Sequence, residues 1–159
     1  MTTPLFLPAH DGSLPIDLVT PDGLETYLSA QSEFSRTFLD EAQFKAGAGE
    51  IVRLPDMTGR LARIVFGVGD GKDGLALAGL SSKLKGGVYR FDYLPEDTDV
   101  VRLAIAWADG AYRFTKYKTR DHEAPSLVIP DNIEREKALR FASAIDLLRD
   151  LVNTTAEDM

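Results

Sequence analysis

Apolar residues along this chain occur in two patterns: short continuous runs, and steps of three or four positions. A continuous run bounded by glycine or proline is typical of a buried strand, whereas the stepped pattern places apolar side chains on one face of a helix. The runs predict strands at residues 15–19, 50–54, 61–68, 88–91 and 126–129. The stepped segments predict short helices after residues 20 and 31, a helix at 75–80, and two long helices that begin near residues 99 and 132.

Strands and helices therefore alternate along most of the chain. Residues 64–68 include no polar side chain, as expected for a strand that is covered on both faces. The segment 55–59, which contains proline and glycine, predicts a hairpin between two neighbouring strands. We predict an α/β fold: a three-layer sandwich in which helices cover both faces of a mixed, mostly parallel sheet.

The two long predicted helices carry more specific signals. Thr98 and Asp99 provide a cap for the first helix. Gly110 within it costs about 1 kcal/mol relative to alanine, which indicates that another backbone comes close at this point. Asp131 and Glu134 form a capping box at the start of the last helix. The predicted core stripe of that helix consists of Ala138, Phe141, Ala142, Ile145, Leu148 and Val152.

The length and composition favour one domain. A chain of 159 residues, 44% of them hydrophobic, is long enough for one substantial core. Residues 1–15 show no sustained period and predict a loosely ordered lead-in, so we assign the single α/β domain to residues 16–150.

Charge and hydropathy narrow the classes of partner. The net charge of −7 disfavours nucleic acid, because that affinity depends on Lys and Arg neutralising phosphates. A local basic group is interpreted as a solvated helix end: Arg113, Lys116, Lys118 and Arg120. No run approaches the roughly 20 apolar residues that cross a bilayer, and the N-terminus lacks a signal-peptide pattern, so we predict a soluble, cytoplasmic protein without a membrane partner. The absence of cysteine excludes disulfides and thiolate metal sites.

The titratable residues predict no active site by themselves. His10 and His122 have no second histidine or cysteine at ligand spacing. Asp11 and Asp17 show nothing in the sequence that would separate their pKa values, which acid and base roles require. Neither a nucleophile motif nor a Walker loop is present.

The glycine-rich loop at residues 67–71 is the one candidate for an anion site. Gly67, Gly69 and Gly71 follow a buried strand, where free backbone N–H groups would approach a phosphate at the next helix. Under this alternative, the chain is a free-standing macro-like module that binds a nucleotide or ADP-ribose. Glycines also serve sharp turns and Asp70 would repel a phosphate, so the turn interpretation is favoured.

Two segments carry a resemblance to a known family. Residues 148–159, LRDLVNTTAEDM, resemble the segment that joins the two domains of leucyl (cytosol) aminopeptidases. Residues 106–118, AWADGAYRFTKYK, resemble a helix end in the N-terminal domain of the same family, and the similarity extends over residues 16–159. Two positions depart from the family pattern, which has proline at Thr155 and asparagine at Glu157.

The resemblance implies a role rather than a site. It implies a macro-domain-like, non-catalytic N-terminal domain, with residues 151–159 starting the linker to a C-terminal peptidase domain. In the family that second domain holds two divalent metals, zinc or manganese, and cleaves N-terminal residues from peptides, so no catalytic, cofactor or metal residue is assigned to this chain. In the family, the N-terminal domain helps to shape a hexamer and to control substrate access, so the resemblance implies the same role here. Arg149, Asp150 and Asn153 are the implied interdomain contacts; a purely structural interaction domain is a further alternative.

Overall fold

The described elements alternate between strands and helices. The structure is a computed structural model that describes residues 5–70, 75–96, 98–112, 123–129 and 133–154. The strands are β1 (Phe6–Leu7), β2 (Leu14–Val19), β3 (Ile51–Pro55), β4 (Leu61–Gly67), β5 (Gly87–Tyr93) and β6 (Pro125–Val128). The helices are α1 (Leu24–Ser29), α2 (Glu33–Glu41), α3 (Leu75–Lys83), α4 (Val100–Ala111) and α5 (Ile133–Asn153).

The six strands form one sheet in the order β1-β6-β5-β2-β4-β3. β2 is central and pairs in parallel with β4 on one side and with β5 on the other. β3 and β4 form the predicted hairpin and are antiparallel. The mixed, mostly parallel sheet predicted from the sequence is therefore confirmed.

Helices cover both faces of this sheet. Because side chains alternate along a strand, Ile16 and Leu18 of β2 face α3, α4 and α5, whereas Val19 contributes to a second cluster beneath α1 and α2. Trp107 is fully buried in the first cluster and Tyr27 is almost fully buried in the second. The three-layer arrangement is confirmed, whereas the comparison with macro domains remains a prediction.

Gly110 makes the close approach that the sequence predicts. A Cβ atom at this position would lie 1.9 Å from the carbonyl oxygen of Ala78 and 2.2 Å from Oγ of Ser81, both on α3. The hydroxyl of Ser81 also donates a hydrogen bond to the carbonyl of Trp107 at 2.9 Å. α3 and α4 therefore pack backbone to backbone where the glycine lies.

The N-terminal segment holds more structure than its sequence predicts. Residues 1–15 were expected to form a loosely ordered lead-in, but Phe6 is 2% exposed and β1 pairs with β6. The backbone N–H groups of Leu127 and Ile129 donate to the carbonyls of Leu5 and Leu7. A strand of two residues is too short to show a period, and its partner β6 is the last described strand in chain order. The hydrophobic pattern alone therefore did not predict β1.

Two helix boundaries also differ from prediction. α1 begins at Leu24 rather than directly after Thr20, because the Thr20 hydroxyl accepts a hydrogen bond from the N–H of Gly23 and forms a separate turn. The helical spacing after residue 31 predicts a helix that continues to the turn at residues 47–49, but α2 ends at Glu41. Asp99 caps α4 as predicted, whereas the capping-box residue Asp131 lies outside the described residues.

Candidate functional site

The described glycines of the 67–71 loop pack tightly against a neighbouring segment. A Cβ atom on Gly67 would lie 2.2 Å from the carbonyl oxygen of Gly47. One on Gly69, which has a φ of +62°, would lie 2.9 Å from Cβ of Ala48. These contacts give both positions a packing reason to be glycine. Gly71 lies outside the described residues.

The backbone N–H groups of this loop already have protein acceptors. Gly67 donates to the carbonyl of Glu50, Val68 to that of Val19 and Gly69 to that of Ala46, at 2.9–3.1 Å. An anion site of the predicted kind requires N–H groups that point to the ligand. The contacts of residues 67–69 therefore lend no support to nucleotide binding by this loop.

A cleft of about 330 Å³ opens beside the loop, at the carboxyl ends of β2, β4 and β5. From β4 the chain crosses over β2 to reach β5, so the direction of the strand order reverses at β2. Ligands of open α/β sheets bind at such a reversal, outside the carboxyl ends of the strands. The floor of the cleft is apolar and consists of Leu18, Val68, Ala76, Leu77, Leu103 and Ala106.

The mouth of the cleft is polar and mostly acidic. Within the described ranges, four exposed charged side chains line it: Asp70, Glu96, Asp99 and Arg102. One Asp99 oxygen accepts hydrogen bonds from the N–H groups of Val101 and Arg102, so it caps α4. The sequence did not reveal this cleft, because its lining comes from three strands and two helices that only the fold brings together.

The three residues predicted as interdomain contacts lie together where α5 meets the end of α4. Arg149 donates a hydrogen bond to the carbonyl of Asp109 at 2.9 Å and forms an ion pair with its carboxylate at 3.1 Å. The guanidinium carbon of Arg149 lies 4.9 Å from the centre of the Tyr112 ring. The Tyr112 hydroxyl donates to Asp150 at 2.6 Å and accepts from the amide of Asn153 at 3.4 Å.

These contacts fix the orientation of α5 on α4. Loss of solvent contact and the hydrogen bond to Asp150 both raise the pKa of Tyr112, so its hydroxyl remains a proton donor at neutral pH. The contacts of Arg149, Asp150 and Asn153 given above are with Asp109 and Tyr112 of α4 and its C-terminal end. Their contact with a further domain therefore remains a prediction.

The predicted core stripe of α5 is wrong at Phe141, Leu148 and Val152, whereas Ile145 is partly buried. Ala138 and Ala142 are buried against the first cluster, but Phe141 is 53% exposed, Leu148 is 64% exposed and Val152 is 77% exposed. α5 packs through its alanines, which allow a close approach to α4, and Arg149 on the same side pairs with Asp109. The helix is therefore turned so that Phe141, Leu148 and Val152 lie outside the interface, while Leu139 packs against the edge of the core.

We call the exposed apolar side chains of α5 the α5 face, which comprises Phe141, Leu147, Leu148, Leu151 and Val152. All five are at least half exposed. Single exposed apolar residues are ordinary, whereas five on one helix make that helix a candidate for a binding surface.

The sequence did not predict a buried polar network that lies on the face of the sheet covered by α1 and α2. Asp17 is fully buried and accepts hydrogen bonds from the Tyr27 hydroxyl and from Arg63, both at 2.5 Å. Arg63 also pairs with Asp92 at 2.8 Å. Burial raises the pKa of the Asp17 carboxyl, against the hydrogen bond from Tyr27 and the charge of Arg63, which lower it. One signal was available: Asp17 interrupts an otherwise apolar strand.

Two further features were searched for in the described residues. Among residues 5–70, 75–96, 98–112, 123–129 and 133–154, no three His, Cys, Asp or Glu side chains are grouped so as to hold a metal ion. Over the same ranges, no helix combines the length and apolar character needed to cross a membrane. His10 is exposed, whereas His122 and the predicted basic group at 113–120 lie outside the described residues.

Comparison with known proteins places this fold. The family model described as the N-terminal domain of M17 aminopeptidases matches residues 14–130. No curated protein sequence matches the chain at a significant level.

The solved structures give the same result over more of the chain. The cytosol aminopeptidase from Coxiella burnetii is 30% identical with a TM-score of 0.85, over 98% of this chain and 34% of that one. The bottromycin maturation enzyme BotP in complex with manganese is 25% identical with a TM-score of 0.60, over 91% of this chain and 32% of that one. A mutant of tomato leucine aminopeptidase shares the fold at 14% identity and a TM-score of 0.63, over 97% of this chain and 38% of that one.

The class of protein follows from these observations. One mixed sheet with helices on both faces, together with a last described helix that exposes apolar side chains, defines an α/β domain of the kind found in aminopeptidases. The chain spans about a third of the length of the solved structures that it matches. The chain belongs to the M17 aminopeptidase family, and the part of the family that it matches is the N-terminal domain.

Proposed function

We propose that this domain is the non-catalytic N-terminal unit of a metal-dependent leucyl aminopeptidase, an enzyme that removes N-terminal residues from peptides. The observation that carries the proposal is the α5 face, a group of large apolar side chains exposed on the last described helix. The proposed occupant of this face is the enzyme's own peptidase domain. Support for a second domain comes from the matched structures, of which this chain covers about a third.

The contacts at the end of α4 support this use of the α5 face. Arg149 and Tyr112 hold α5 at two points, through the ion pair with Asp109 and the hydrogen bond to Asp150. A helix held in this way presents Leu148 and Val152 in a fixed orientation, which lowers the entropic cost of docking. Under this proposal, Arg149, Asp150 and Asn153 serve the interface by orienting α5.

The chemistry of the proposed enzyme is assigned to the peptidase domain. Two divalent metals, zinc or manganese, would polarise the scissile carbonyl and activate a water molecule there. Manganese is present in one matched aminopeptidase-like structure, that of the bottromycin maturation enzyme. No residue of this chain is assigned to the metals or to catalysis.

Assembly and location are part of the same proposal. An accessory domain on the outside of an oligomer is suited to shaping a hexamer and to limiting the access of peptides to the active sites. The matched Coxiella burnetii protein is named a cytosol aminopeptidase, which supports a cytoplasmic location.

The first experiment compares the 159-residue chain with the full-length gene product. We expect the long form to release leucine from a leucyl substrate in a metal-dependent manner and the 159-residue chain to release none. A gene that ends at Met159, or a long form without activity, would overturn the proposal.

Substitutions on the α5 face test how the two domains meet. In the long form, Leu148→Gln combined with Val152→Gln should lower the thermal midpoint and activity, because both side chains lose an apolar partner. The matched control is Met57→Gln, which changes another highly exposed apolar residue, 87% exposed in the hairpin turn, and should change neither. Equal effects of the two changes would show that the α5 face has no special role.

A further inference from the structure

We propose that the cleft at the carboxyl ends of β2, β4 and β5 binds a primary ammonium group on a small apolar body, as in the N-terminal residue of a peptide. The inference concerns this domain alone and rests on the chemistry of the cleft. It therefore adds a ligand site to a domain for which no ligand was assigned above.

The shape and floor of the cleft fit the apolar part of such a ligand. Its volume of about 330 Å³ lies at the lower end of the roughly 300–1,000 Å³ that small-molecule sites enclose. Of the apolar residues that line it, Leu18 and Leu77 are buried, and Val68 and Leu103 are partly exposed. An aliphatic side chain placed here would exchange water for apolar contacts, at about 25 cal/mol for each Å² that is covered.

The charges at the mouth favour a cation. Among the described residues that line it, three carry carboxylates and one a guanidinium, a formal charge of −2 for these four side chains, and Asp70 has an interaction of its own. Asp99 is partly occupied as the α4 cap. Within the described part of the chain, the side chains of Glu96 and Arg102 have no hydrogen-bond or ion-pair partner. Glu96 is therefore available to accept hydrogen bonds from an ammonium group, whereas Arg102, among the described residues that line the mouth, carries a positive charge that opposes it.

The same surroundings disfavour a phosphate. Two helices, α3 and α4, begin at the cleft; the α4 N–H groups at Val101 and Arg102 donate to Asp99. The nearby loop amides at Gly67, Val68 and Gly69 donate to backbone carbonyls. Because these N–H groups already have protein acceptors, they offer no donors to an anion, and the carboxylates of the mouth favour a cation.

The test uses three small probes with the 159-residue chain. L-leucinamide carries the ammonium group and the apolar body, 4-methylpentanamide keeps only the apolar body, and ADP-ribose represents the phosphate class. In titrations followed by amide NMR at low ionic strength, we expect leucinamide to shift resonances from the starts of α3 and α4. We expect 4-methylpentanamide to bind about five- to tenfold more weakly, since the charge on the ligand is missing.

Substitutions of the two charged residues at the mouth should change the affinity for leucinamide in opposite directions. Glu96→Gln should weaken leucinamide binding about two- to fivefold, whereas Arg102→Gln should strengthen it by a similar factor. The matched control is Glu41→Gln, an exposed carboxylate on α2 at the other face of the sheet, which should leave the affinity unchanged. Added salt should reduce the two effects at the mouth.

Three outcomes would overturn the inference: equal affinity for the two amides, ADP-ribose binding at the same resonances, or no saturable shift with leucinamide. These outcomes are separate from the test of the proposed function. A long form that is active while its N-terminal domain ignores leucinamide would remove the cleft proposal alone. Leucinamide binding with an inactive long form would remove only the peptidase proposal.

Discussion

The hydrogen atom that serves as the side chain of Gly110 determines how closely two helices pack. We expect Gly110→Ala to lower the free energy of unfolding by about 1–3 kcal/mol, because the added methyl group would overlap the Ala78 carbonyl, which is backbone and cannot rotate away. This loss outweighs the gain of about 1 kcal/mol in helix propensity. Urea unfolding measures the change.

Gly79 provides the matched control, since it lies on the partner helix and a Cβ atom there would meet nothing within 4 Å. Gly79→Ala should leave stability unchanged or raise it by up to about 1 kcal/mol. If both alanine variants had the same stability, the close contact at Gly110 would carry no energetic weight.

A second residue-scale prediction concerns Asp17 and pH. Burial raises its pKa in the folded state above the ordinary value of 3.8, so the folded protein holds this proton more tightly than the unfolded chain does. The stabilisation from that proton is complete below the unfolded pKa and is lost as pH rises through the folded pKa. The stability of the wild type relative to Asp17→Asn should therefore fall as pH rises above about 4, as denaturant unfolding at several pH values would show.

Tyr27→Phe sharpens this test. The variant removes the hydrogen bond that lowers the pKa of Asp17. The decrease in stability with rising pH should therefore extend to a higher pH than in the wild type. A difference between the wild type and Asp17→Asn that is constant, or that grows with pH, would show that the folded pKa is not raised.

These residues differ in how far the sequence predicts them. Gly110 stands out because a glycine within an apolar helical stripe has a local cost, and a local cost is visible in sequence. The partners of Asp17 are Tyr27 on α1 and Arg63 on β4, which only the fold brings together. Burial of Asp17 was therefore detectable as an anomaly, but its network was not.

At the scale of an element, the α5 face should make the 159-residue chain self-associate weakly at high concentration. Exposed apolar side chains on one helix gain free energy when a second copy covers them. Sedimentation at increasing concentration should show reversible association in the wild type, and Leu148→Gln combined with Val152→Gln should abolish it. Met57→Gln should associate as the wild type does. A wild type that stays monomeric throughout would contradict the prediction.

The same helix shows what periodicity does and does not determine. The steps between Ala138, Ala142 and Ile145 predicted a helix correctly, because spacing reports the local backbone conformation. The side of α5 that faces the core depends on its contacts with α4. Ala138 and Ala142 of α5 allow close packing there, and Arg149 forms an ion pair with Asp109 of α4. Sequence spacing carries no information about that partner, so the large residues were assigned to the core in error.

At the scale of the whole molecule, the sequence indicated the layers but not the order of the strands. Alternating elements predict a mixed sheet covered on both faces. The order β1-β6-β5-β2-β4-β3 depends on pairings between distant segments, which no local pattern encodes. The cleft exists only because of this order, so it could not be predicted, whereas the family was recognisable from two short segments.

The strand pairing has a consequence for how the chain reaches its fold. β3 and β4 can form their hairpin early, but Ile16 in the central strand pairs with Phe91, and Phe6 pairs with Leu127, so most of the sheet joins segments far apart in the chain. Closing such long loops before the contacts form slows folding. During synthesis, β1 is made before the other described strands and gains its partner only when β6, the last of them, has been made. Until then the backbone N–H and C=O groups of β1 have no strand to pair with.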